Sequence, residues 1–254
     1  MEAVAVLVFA LLVISRMASP VSALSLNYYD QTCPKLESAV TEAVKKATMN
    51  DNTVPAALLR MHFHDCFIRS GGPTWDVPKG RKDGRISKAS ETRQLPPPTF
   101  NISQLKQSFS QRGLSLEDLV ALSGGHTLGF AHCSSFQNRI HNFNATLDVD
   151  PTLNPSFGNS LRSVCPAHNK VKNAGATMDS SATTFDNVYY KLLLQGKSLF
   201  TSDQALLSTG KTMNLVSKFA SSQEMFEKAF VKSMIKMSSI SGGQEIRLDC
   251  KVVR

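Results

Sequence analysis

The chain has 254 residues, 42% of them hydrophobic, with 28 Lys and Arg against 20 Asp and Glu and a net charge of +8. That length suffices for one large domain with a sizeable core. The basic residues are scattered and no aromatic-basic cluster accompanies them, which argues against nucleic-acid binding and leaves acidic polysaccharide or membrane surfaces as the partners a basic chain attracts.

In chain order, the first segment is MEAVAVLVFALLVISRMASPVSA, residues 1–23. Its apolar run ends in small residues, Ser22 and Ala23, which is the pattern of a secretory signal peptide, with the positive charge at Arg16 rather than ahead of the run. The competing reading, a membrane anchor, is weaker because the run is short for a span. The mature domain is therefore expected to be 24–254. Two sequons, at Asn101 and Asn144, fit a secreted glycoprotein.

KLESAVTEAVKKATM puts Leu36, Val40, Ala43, Val44 and Ala47 on one helical face. A second helix is expected from near Thr53, with Pro55 in its first turn, through LLRMHFHDCF. LSLEDLVALSGG shows a capping-box start, Ser115 to Asp118, and a Gly pair at its end. A helix is expected from about Asp186 to Gln195, stopped by Gly196. In SSQEMFEKAFVKSMIKM, Ser221 precedes Glu224, and Phe226, Phe230 and Met234 recur at helical spacing as a core stripe. GGPTWDVPKGRKDGR, QLPPPTF and DVDPTLNPSFG read as loops. The only fair strand signal is QEIRLDCKVV. The fold class is mainly α, with no repeat and no linker.

Three places carry chemistry. In LLRMHFHDCF, His62 and His64 are two apart and point to nearly opposite sides of a helix, whereas Arg60 and His64 share a face. A fixed positive charge beside a proton-exchanging imidazole suits a reaction in which a proton moves and an oxygen leaves with negative charge. The plain alternative is a basic surface patch. The opposed faces also argue against a metal site built from His62, His64 and Asp65. In ALSGGHTLGFAHC, His126 follows two glycines at a helix end, where backbone can approach a partner closely; His132, His141 and His168 read as peripheral or surface residues. Asp203, in SLFTSDQALLS, is either a helix cap shared with Ser202 or a buried carboxylate that accepts a proton from a ligating His.

LLRMHFHDCF, GGPTWDVPKGRKDG, LVALSGGHTLG, TTFDNVYY, SDQALL and the ending IRLDCKVV together resemble the secretory class III plant haem peroxidases, from about Leu26 to the C-terminus. The resemblance implies the haem-peroxidase fold, haem b and calcium as cofactors, and oxidation of small phenolic donors by hydrogen peroxide. It implies a monomer in the cell wall, apoplast or vacuole. Arg60 and His64 would be the distal pair, with Phe63 between them. His126 would be the axial iron ligand and Asp203 its carboxylate partner. Thr127, Asp179 and Asp186 would hold the proximal calcium, with Ser181 and Thr184 as further candidates. Pro96 would lie where aromatic donors meet the haem edge, and Met178 stands where an aromatic often packs on the axial His. His64 would move a proton of the peroxide between its oxygens, and Arg60 would stabilise the developing negative charge.

The chain departs from the family at one point. Ile68-Arg69 passes directly to Ser70-Gly71-Gly72-Pro73, where the family has a loop completing a distal calcium site and then two helices. Asp65 would be the remnant of that site. Of the family's four disulfides, only Cys133–Cys165 would keep both partners; Cys33, Cys66 and Cys250 would each lose theirs, with a new Cys33–Cys250 pair as the alternative. The sharp junction resembles an exon omission or a gene-model error. The expectation is thus a secreted peroxidase. The alternative is a catalytically impaired product of the same gene.

Overall fold

The computed structural model describes residues 24–51, 53–54, 72–86, 88, 90, 95–168, 171, 173–240, 243 and 245. The signal segment 1–23, the 60–66 motif with Arg60, His62, Phe63, His64, Asp65 and Cys66, the 69–71 junction, and Cys250 lie outside the described residues.

The described chain is mainly helical. Nine α-helices are accompanied by short 3₁₀ turns and one small two-stranded sheet: α1 Leu36–Asn50, α2 Ile102–Ser110, α3 Leu116–Ser123, α4 Gln137–Ile140, α5 Pro155–Val164, α6 Val188–Leu194, α7 Thr201–Gln204, α8 Gly210–Ser221 and α9 Gln223–Ser238. The sheet pairs β1, Phe130–His132, antiparallel to β2, Gly175–Thr177. Among the described residues no helix is long and apolar enough to cross a membrane.

Local chemistry sets the helix starts. Ser115 accepts from the Asp118 amide while the Asp118 carboxylate accepts from the Ser115 amide, the reciprocal cap its sequence predicts. Asn101 and Gln104 form the same box for α2, a helix the sequence reading passed over. Pro155 opens α5 behind an Asn154 cap, so the stretch read as loop ends inside a helix. Two boundaries move. The cap of α9 is Ser222, which accepts from the Met225 amide, rather than Ser221. Helix α6 begins at Val188, two residues late, because the Asp186 carboxylate takes the Val188 amide. Gly196 stops α6 with φ +71°, a conformation that favours glycine. Of the expected strand QEIRLDCKVV only Glu245 lies within the described residues, and it forms an antiparallel bridge with Asp83.

Two apolar clusters form the core. In the larger, α3 and α6 pack on α8 and α9, burying Leu119, Val120, Tyr190, Phe219, Phe226 and Phe230. The expected stripe Phe226, Phe230 and Met234 is buried here as core. Full burial of an aromatic or aliphatic side chain contributes about 1.5–3 kcal/mol. The smaller cluster gathers Phe136, Ile140, Leu153, Leu161, Met178 and Leu199 around the Cys133–Cys165 disulfide. Its polar anchor is Arg139, fully buried, which donates to Asp150 at 2.8 Å and to the Ser198 and Phe200 carbonyls. His141 is no surface histidine: its Nε2 lies 2.8 Å from the Cys165 carbonyl. Helix α1 differs from the rest. Its stripe of Leu36, Val40 and Val44 is only half-buried, and the helix has no fully buried residue.

Candidate functional site

The seam between the two clusters is where the candidate residues meet. Helix α3 runs into a 3₁₀ turn, Gly124–Thr127, that carries His126. A Cβ at Gly124 would overlap the Phe226 ring and the Tyr190 hydroxyl, so glycine lets this turn sit against the larger cluster. Three residues after His126, Gly129 takes φ +103°. Its amide bonds the Ala182 carbonyl at 2.9 Å and its carbonyl accepts from Met178 at 3.0 Å. The β1–β2 pairing then places Thr127, just before β1, beside Asp179, just after β2.

The His126 Nδ1 lies 2.8 Å from Asp203 Oδ1 across 77 residues of sequence. A carboxylate only accepts, so Nδ1 carries the proton and Nε2 becomes the nitrogen suited to a metal. Asp203 is almost wholly buried whereas the His126 side chain is 40% exposed. The ring is therefore anchored at one edge and partly exposed, unlike a histidine packed in a core. Asp203 makes a capping contact and a contact to His126. Its Oδ2 accepts from the Phe200 amide and caps α7, while its Oδ1 serves His126. Phe200 stands edge-on to the imidazole at 5.1 Å and Tyr189 at 6.1 Å. Met178 packs in the smaller cluster.

Sequence reasoning missed Tyr189, whose hydroxyl donates to the same Asp203 Oδ1 at 2.9 Å. Burial first, then the Asp203 carboxylate, push its phenol well above the ordinary value, so it stays protonated and donating.

Beside this pair lies a cluster of oxygens. The fully buried Thr127 donates to Asp179 at 2.6 Å and to Asp186 at 3.1 Å. The Ser181 hydroxyl reaches both carboxylates at 3.1 Å. Thr184 closes the turn through its amide to the Ser181 carbonyl. Burial raises the Asp179 carboxyl above its usual value despite donors from Thr127 and Ser181, and the Asp186 charge adds to it. Two carboxylates and two hydroxyls with no nitrogen or sulfur are the donor chemistry of calcium, and they fit that ion. Likewise a half-open imidazole with its Nδ1 held by a buried carboxylate fits an axial ligand of haem iron.

Pro96 is exposed. Its segment is tied to the site, since the Ser202 amide donates to the Pro98 carbonyl at 2.9 Å. Asn144 is exposed, and its carbonyl oxygen accepts from the Thr146 and Leu147 amides. Asn101 is exposed at the start of α2. His132 is exposed beside Phe130. Cys33 is exposed, with no disulfide partner among the described residues.

The chain is similar to known proteins. Residues 68–222 match the family model described as Peroxidase. The chain is 56% identical over 307 aligned positions to Peroxidase 64 of Arabidopsis thaliana, covering 96% of this chain and 97% of that one. It is 43% identical to Peroxidase 66 of the same plant over 92% of each chain, and 34% identical to Peroxidase 5 of Vitis vinifera over 91% of each. The chain belongs to the peroxidase family, among its class III plant members. The family and the names of these relatives support peroxidase function.

Proposed function

We propose that residues 24–254 form a secreted haem peroxidase that oxidises small phenols with hydrogen peroxide, and that His126 is its iron ligand. The observation that carries this reading is the His126 Nδ1–Asp203 contact of 2.8 Å beneath a half-exposed ring. Haem b, when bound, supplies the electron transfer. The chain's own residues position and protonate. Asp203 holds the Nδ1 proton and makes His126 the more electron-rich ligand. His64 moves a proton between the peroxide oxygens and Arg60 offsets the charge on the departing one, with Phe63 between them. Over one cycle hydrogen peroxide gains two electrons and two protons to become two waters, and two phenols each give one of both.

Thr127, Asp179, Ser181 and Asp186 would hold calcium, with Thr184 fixing their turn. Thr127 adjoins His126 in sequence, so the ion would brace the ligand. Pro96 would border the approach of the phenol. Segment 1–23 would direct secretion to the cell wall, apoplast or vacuole. Asn101 and Asn144 would carry glycans, and the charge of +8 would favour acidic wall polysaccharide.

A second reading has a specific observation behind it. Alignments of 307 positions exceed the chain's 254 residues, and the family match begins at residue 68, beside the Arg69–Ser70 junction. The alignment length supports an internal omission, and one at that junction would remove the rest of the distal calcium site around Asp65. Such a chain would keep the motifs and lose much of their support. Peroxide-dependent oxidation of guaiacol by the haemin-reconstituted chain separates the two. The enzyme reading expects turnover that His64→Ala lowers at least tenfold and His126→Ala reduces to the rate of free haemin. Wild-type turnover equal to free haemin would mark the chain as a catalytically impaired relative.

A further inference from the structure

Asp203 Oδ1 accepts two hydrogen bonds at once. One comes from His126 Nδ1 at 2.8 Å and the other from the Tyr189 hydroxyl at 2.9 Å. Tyr189 lies in the first turn of α6, 3% exposed, its ring edge-on to Tyr190 at 4.9 Å. Its hydroxyl is thus a fixed donor aimed at the oxygen that holds the histidine. A carboxylate oxygen has limited electron density to share. A second donor stabilises its negative charge and weakens its pull on the first.

We propose that Tyr189 is a positioning residue that tunes the axial ligand: by sharing Asp203 Oδ1 it keeps the proton on His126 Nδ1 and limits how imidazolate-like that ligand becomes. This rests on the reading of His126 as the iron ligand. The same bond fixes the carboxylate plane, because Oδ2 is already taken by the Phe200 amide at 3.2 Å. Asp203 is thereby held from α6, α7 and the His126 turn together. Tyr189 also follows Asp186, a residue of the oxygen cluster, by only three positions. The start of α6 is thus flanked by one residue of the oxygen cluster, just before the helix, and carries one partner of the histidine–aspartate pair in its first turn.

Tyr189→Phe keeps the ring and removes the donor. In the haemin-loaded chain the reduction potential should shift to a more negative value, since a less restrained carboxylate makes His126 the stronger donor to ferric iron. In the haem-free chain labelled with nitrogen-15 histidine, the His126 Nδ1 resonance should move downfield. A ring-fluorinated tyrosine at position 189, a stronger donor, should move both in the opposite direction, and it decides the matter should Tyr189→Phe fail to fold. Unchanged potential and unchanged Nδ1 resonance in both variants, or shifts of one sign in both, would overturn the proposal. If the wild-type chain takes up no haemin, the peroxidase reading fails, and the Nδ1 resonance still tests the shared hydrogen bond.

Discussion

Asp203 contributes through single hydrogen bonds, so its effect can be read one atom at a time. Asp203→Asn keeps the shape of the side chain but turns the acceptor facing His126 into a neutral amide. Loss of a partner that orients a ligand typically lowers activity or affinity about 10–100-fold. Steady-state guaiacol oxidation should show a fall of that order, with the larger share in the step that consumes peroxide. A second carboxylate, Asp118, acts on stability. Burial opposes its ionisation, but the Lys236 ammonium and the Ser115 and Ser233 donors outweigh it and hold the carboxyl down at about 2. Its folded value lies below the unfolded one of about 4, so it stabilises above pH 4 and loses that contribution as pH falls through 2. The shift corresponds to about 2 kcal/mol. Urea unfolding of wild type and Asp118→Asn should therefore show a stability gap at pH 6 that closes between about pH 4 and 2. A gap that stays constant over that range would contradict the assignment.

The elements carry these residues into register. Helix α3 is pinned to α9 by Lys236 and Ser233 on Asp118, at 2.6 and 2.9 Å. It then delivers His126 through Gly124 and Gly125. On the other side, Arg139 in α4 binds the Ser198 and Phe200 carbonyls and so fixes the segment that places Phe200 against the imidazole. Arg139→Met would leave Asp150 buried without its cation. Removing one partner of such a pair typically costs about 3–5 kcal/mol. Denaturant unfolding should show that loss, and haemin titration should show weaker binding because the Phe200 wall is no longer held. Much of this was legible in the sequence, because helix caps and apolar spacing are local. The Ser115–Asp118 box, the Gly196 stop and the Phe226–Phe230–Met234 stripe all stand where spacing puts them. Helix α5 was missed although Asn154-Pro155 announces it, since a Pro-rich stretch invites a loop reading. Tyr189 was beyond reach. Its partner is 14 residues away and its role exists only once α6 packs behind the His126 turn.

For the whole molecule, the question is whether the surviving parts make a stable domain. The Cys133–Cys165 bridge spans 32 residues and binds the smaller cluster. Closing a loop of that size contributes about 3–4 kcal/mol. That is a large share of a typical stability of about 5–15 kcal/mol. Calcium adds to it by mass action if the oxygen cluster binds the ion. Addition of a chelator should lower the melting temperature of the wild-type chain, and Asp179→Ala should abolish that response. Against these stands α1, whose apolar stripe is half-buried at best. An omitted block at the Arg69–Ser70 junction would account for poor cover, since a helix face buries itself only against neighbouring elements. The motif content thus points to peroxidase chemistry, and the packing of the described helices supports its proximal half.

The most direct test of the central claim is the absorption spectrum of residues 24–254 after addition of haemin and calcium, taken for wild type and for His126→Ala. The account predicts a Soret band that saturates at one haemin per chain in the wild type and is lost or reduced to that of free haemin in the variant. No Soret band beyond free haemin in the wild type, or the same band in both chains, would contradict it.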